Sequence, residues 1–230
     1  NLGNVFRLLG ENLKAKVCFK KAIEIDPNYV DAHNNLGVIF RTLKDYQKAK
    51  DCFKKAIAIN PNVPDAHNNL GIIFRTLKDY QKAIECFEKA IEIVPDHIRA
   101  HNNLGIIFRT LKDYQKAKEC FEKAIKIDPR FVDANFNLGI IFKILKDYQK
   151  AKEYFEKTIE INPHFADAHY NLGNLFVALE ENQKAISCFE KVIRINPSYV
   201  YAYNNLGIIC VALGEIQKAK SCYKKIIGIN

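Results

Sequence analysis

The 230-residue chain contains no Met and no Trp. It has no run of 18 apolar residues, so no membrane-spanning helix and no membrane partner is expected. No charged start followed by an apolar core marks a secretion signal. No nucleophile–base pair, Gly-rich phosphate loop or convergent carboxylate pair is present, so no catalytic residues and no cofactors are expected. The chain lacks an initiator Met, starts inside one helical pattern and stops at the close of another. It is therefore expected to be a fragment of a longer protein.

Pro and Gly are scarce, with seven and ten copies, and they are not scattered. Pro27, Pro61, Pro95, Pro129, Pro163 and Pro197 stand 34 residues apart, as do Gly3, Gly37, Gly71, Gly105, Gly139, Gly173 and Gly207. That period belongs to stacked helical hairpins rather than to one globular core. Full copies are expected at 30–63, 64–97, 98–131, 132–165 and 166–199, with a partial copy at 1–29 and a near-complete one at 200–230, all in a single array. In the copy at 64–97 the apolar spacing predicts a first helix from about Asp65 to Leu77 and a second from Asp79 to Ile93. Gly71 is costly in mid-helix, and close approach of the second helix is its simplest reason.

The residues Leu70-Gly71, Ala83, Phe87, Ala90 and Pro95, recurring in register, resemble the tetratricopeptide repeat family over the whole chain. The resemblance implies an all-α, right-handed superhelical solenoid of antiparallel helix pairs, with first helices on the concave face and second helices outside. It also implies a protein–protein interaction scaffold that binds an extended peptide segment in the concave groove. The family's carboxylate clamp for a chain terminus is not expected. Asp31, Asp65, Asp133 and Asp167 occupy a position where that clamp is basic, and they would repel a carboxylate.

The net charge is +9, but Lys and Glu are interleaved, which reads as a solvated surface, and no nucleic-acid partner is expected. Of seven cysteines, Cys18, Cys52, Cys86, Cys120, Cys188 and Cys222 share one register position, and Cys210 stands apart. Stacked copies lie roughly 10 Å apart, too far for column members to pair, since a disulfide needs Cα atoms within about 7 Å. Free thiols in a reducing, cytoplasmic or nucleocytoplasmic setting follow. His33, His67, His101 and His169 also share one position and cannot converge on a metal, so no metal site is expected.

The sixth position of every copy is Asn: Asn1, Asn35, Asn69, Asn103, Asn137, Asn171 and Asn205. Asn34, Asn68, Asn102 and Asn204 precede it in four copies. Asn is a poor interior helix residue, so the column requires a reason. Either the amides bridge neighbouring copies, or they form a ladder that grips the main chain of an extended segment. Ile72 and Ile106 would floor such a groove, and Arg41, Arg75 and Arg109 would give it a positive border. This column is similar to that of the O-linked N-acetylglucosamine transferase family. That resemblance implies an alternative function: the substrate-recognition region of such a glycosyltransferase, with its catalytic domain outside this chain.

Overall fold

The computed structural model describes residues 2–229. The first Asn of the column, Asn1, lies outside them. Among the described residues there are helices and turns but no strand, and the contacts divide them into two compact units. Unit 1 holds α1 (Leu2–Leu8), α2 (Asn12–Ile25), α3 (Val30–Thr42), α4 (Tyr46–Ile59), α5 (Pro64–Thr76), α6 (Tyr80–Ile93), α7 (Ile98–Thr110) and α8 (Tyr114–Ile127). Unit 2 holds α9 (Val132–Ile144), α10 (Tyr148–Ile161), α11 (Ala166–Ala178), α12 (Asn182–Ile195), α13 (Val200–Ala212) and α14 (Ile216–Ile229). In each unit every helix packs against the next in sequence. In unit 1 the first helix α5 also touches the first helices α3 and α7, while no second helix makes comparable contact with another among the described residues. The first helices are thus the closer-packed layer there.

The hairpins are antiparallel, as two contacts in one pair show. Gly37 in mid α3 meets Phe53 in mid α4, and Phe40, one turn later, meets Lys48 at the start of α4. The turn between them is built from three residues. Leu43 ends α3, Lys44 takes a left-handed backbone (φ 61°), and Asp45 N–H reaches back to Phe40 O at 2.9 Å. This reverse hydrogen bond closes the helix. Asp45 then opens the next helix by accepting from Lys48 N at 3.3 Å. Asp79 does the same for α6.

Lys44, Lys78, Lys112, Lys146 and Glu180 all hold positive φ, and Gly10 and Gly214 occupy the same register. A left-handed L-residue costs about 1–2 kcal/mol, against about 0.5–1 kcal/mol for the greater chain freedom of Gly. Lys78→Gly is therefore expected to stabilise the protein by roughly 0.5–1 kcal/mol, read as a higher urea midpoint.

The core draws on both helices of each pair, with Ile39, Ile73 and Ile107 of the first helices fully buried. Phe53, Phe87, Phe121, Phe155 and Phe189 are fully buried, each lying against the Gly of its own hairpin. A Cβ on Gly71 would come within 2.7 Å of the Phe87 ring. The mid-helix glycines are there because the ring occupies the space of a side chain.

Candidate peptide-binding face

The asparagine column lies on the first helices, and in unit 1 its amides are cross-linked between copies. Arg41 Nη1 donates to Asn69 Oδ1 at 3.1 Å, and Asn69 Nδ2 donates to Asn34 Oδ1 at 3.1 Å. The same triad recurs one copy on, with Arg75 to Asn103 at 3.1 Å and Asn103 to Asn68 at 3.0 Å. Asn69 and Asn103 each accept from the basic residue of the preceding copy and donate to that copy's fifth-position Asn. Asn is suited to this because one short side chain carries both a carbonyl and an N–H pair.

Unit 2 shows what happens when the partners change. Asn171 accepts from Lys143 Nζ at 2.8 Å. The preceding copy has Phe136 in place of the accepting Asn, so Asn171 donates to Asp167 O within its own helix, at 2.8 Å. At the last junction Val177 replaces the basic residue. Asn205 there donates to Asn174 Oδ1 at 2.7 Å and to Tyr170 Oη at 3.3 Å. Phe136 and Tyr170 pack on Phe165 and Tyr199, with ring centroids 5.0 and 5.2 Å apart, so this part of the face is aromatic rather than amide-lined.

Each expected site residue can now be placed. Asn34, Asn35, Asn69, Asn171 and Asn205 are half-buried; Asn68, Asn102, Asn103 and Asn137 are buried. Ile72 and Ile106 are half-buried. Arg41, Arg75 and Arg109 are half-buried too, and burial lowers the pKa of each guanidinium. They remain cations nonetheless. Arg41 and Arg75 lean across to the next copy rather than standing free as a border. The bridging role of the asparagines, one of the two alternatives legible in the sequence, is thus present in the structure.

The position-four histidines have a role the sequence did not announce. His33, His67, His101 and His169 each use Nε2 against the carbonyl of the Pro six residues earlier, at 2.8–3.0 Å. The imidazole is the donor, which requires the Nε2–H tautomer. Asn135 makes the same bond to Pro129 O at 3.2 Å. Burial is the chief cause that lowers the pKa of His101 and His169, against the opposing effect of the hydrogen bond. The folded state therefore favours the neutral ring. Its contribution is complete above the unfolded pKa of about 6.5 and is lost as pH falls from there through the lower folded value. The melting temperature is expected to drop between pH 7.5 and 5, and the combined His101→Asn and His169→Asn variant should flatten that dependence.

The cysteines are free thiols among the described residues. Burial pushes Cys52, Cys86, Cys120 and Cys188 up to about 11, which makes them poor nucleophiles. No three metal-ligating side chains converge among the described residues. No helix there is long and apolar enough to cross a membrane.

Comparison with known proteins agrees with this architecture. No curated protein matches the chain. Among solved structures, PilF of Pseudomonas aeruginosa is 26% identical with a TM-score of 0.76, covering 85% of this chain and 89% of that one. MamA is 27% identical with a TM-score of 0.63, covering 70% of this chain and 94% of that one. YrrB, described as a TPR protein with an unusual peptide-binding site, shares the fold at 23% identity and a TM-score of 0.61, over 81% of this chain and 96% of that one. The sequence pattern of the tetratricopeptide repeat matches residues 30–63, 62–130, 132–165 and 166–199, and again 188–221. A further pattern, described as TPR repeat, matches residues 3–43. With glycine-on-aromatic hairpins in register throughout, the chain belongs to the tetratricopeptide repeat family.

Proposed function

We propose that the chain is a protein-interaction scaffold, and that the first-helix face of unit 1 takes an extended protein segment. The observation that carries this reading is the cross-linked row of amides and guanidiniums, Arg41–Asn69–Asn34 and Arg75–Asn103–Asn68. Asn69 and Asn103 each spend one N–H and one lone pair on their neighbours. An amide has a second of each, which suits the main chain of a ligand whatever its sequence. Because the row is already held in place, little side-chain entropy is lost on binding. Half-buried Ile72 and Ile106 supply apolar contact between the rungs, and the guanidiniums favour acidic side chains.

The test is selection from a random peptide display library against the folded protein. Selected sequences should be rich in Asp, Glu and aliphatic residues and should bind more weakly as salt rises. Charge reversal at Arg109 should weaken them about 10-fold or more at low salt, with less effect above about 0.1 M. Peptides with no such enrichment, or affinities indifferent to Arg109→Glu and to Ile72→Asp in variants with unchanged helical content, would overturn the reading.

A further inference from the structure

We propose that Cys210 and Cys222 form a dithiol pair that closes a disulfide across the α13–α14 hairpin when the protein meets a peroxide. The argument starts from register. Cys210 occupies the position held by Phe6, Phe40, Phe74, Phe108, Phe142 and Phe176 in the other copies, and Cys222 belongs to the cysteine column. In the copy at 132–165 those two positions carry Phe142 and Tyr154, whose rings stack with centroids 5.5 Å apart. They are direct neighbours across one hairpin. Only in the last copy do both hold a thiol.

The surroundings change in step. In six copies a Lys sits over the Phe ring, as Lys48 does over Phe40 at 5.7 Å and Lys184 over Phe176 at 5.4 Å. The equivalent Lys218 has no ring beneath it. It pairs with Glu190 at 2.7 Å and acts on both thiols, its charge favouring their ionised forms. Glu215 accepts from Cys210 Sγ at 3.8 Å. Burial outweighs Lys218 and raises both thiol pKa values, so oxidation runs through the small ionised fraction and is expected to be slow. Cys210 is fully buried, whereas Cys222 retains 6% exposure, so Cys222 is the sulfur a small oxidant reaches first.

The chemistry balances with hydrogen peroxide as the oxidant. Cys222 sulfur, having released its proton, attacks one peroxide oxygen and the O–O bond breaks. Hydroxide leaves and takes up that proton, giving one water and a sulfenic acid. Cys210 sulfur then attacks Cys222 sulfur and the S–O bond breaks. The departing hydroxide takes the Cys210 proton and leaves as a second water. Two thiols are oxidised by two electrons and one peroxide is reduced to two waters.

The experiment treats the purified, reduced protein with hydrogen peroxide, then counts thiols by maleimide labelling under denaturing conditions and maps linked peptides by mass spectrometry. The expected result is a loss of two of the seven thiols, with a linked peptide joining Cys210 to Cys222. The change should reverse with dithiothreitol and persist in Cys188→Ser. Cys210→Ala and Cys222→Ala should each abolish the link. Peptide mapping of the unsubstituted chain decides the matter even if either variant folds poorly. Retention of all thiols, oxidation to sulfinic acid without a link, or a link that joins Cys222 to Cys188 would overturn the proposal.

Discussion

Truncating Phe121 to Ala is expected to destabilise the protein by about 3–5 kcal/mol, the usual cost of emptying a fully packed aromatic site. The ring is wholly buried and lies against Gly105, where an added Cβ would come within 2.6 Å of it. Gly105→Ala should therefore also destabilise, by about 1–3 kcal/mol, because the pinned ring cannot move aside. The decisive measurement is the double-mutant cycle in urea. Phe121→Leu shortens the ring's reach and makes room for the new methyl, so Gly105→Ala with Phe121→Leu should lose less than the sum of the two single changes. Strict additivity would show that the glycine is not there for the ring.

Replacing Asn69 and Asn103 together with Ala is expected to cost about 2–6 kcal/mol, from about 1–3 kcal/mol for each site left with orphaned partners. The loss is large because each Asn holds two neighbours at once. Asn68, at 4% exposure, would lose the N–H that its carbonyl accepts, and Arg41 and Arg75 would lose the oxygens they donate to. Thermal unfolding reads the effect, and faster amide exchange in α5 and α7 would localise it. A variant that melts unchanged would mean the bridges contribute nothing, leaving ligand binding as the reason for the column.

Much of the fold was legible because helical hairpins are local. The first helix expected from about Asp65 to Leu77 runs over Pro64–Thr76, and Asp79 caps the second, which ends at Ile93 as expected. The small residue at Gly71 correctly implied a close approach, though only the structure shows that Phe87 is what approaches. The left-handed lysines were missed, since Lys carries no turn signal of its own. The clue was Gly10 and Gly214 standing in the register of Lys44 and Lys78. The histidine bonds were illegible for another reason, because their acceptors are backbone carbonyls, which have no letter in the sequence. For the arginines the partner lies 28 residues away, beyond any local spacing rule. At the junction where Val177 replaces the basic residue, Asn174 accepts from Asn205 instead.

The bridging pattern has a consequence for how such a gene can change length. Arg41 and Asn34 meet Asn69, and Arg75 and Asn68 meet Asn103, through identical atoms at near-identical distances. Excising residues 64–97 would bring Asn103 to the place of Asn69, facing Arg41 and Asn34, and every donor would find the acceptor it had before. An excision whose length is not a multiple of 34 would set the polar groups of one copy against the wrong neighbours. The side-chain bonding thus acts as a proofreader of copy number, passing the gain or loss of whole 34-residue modules and rejecting cuts out of phase.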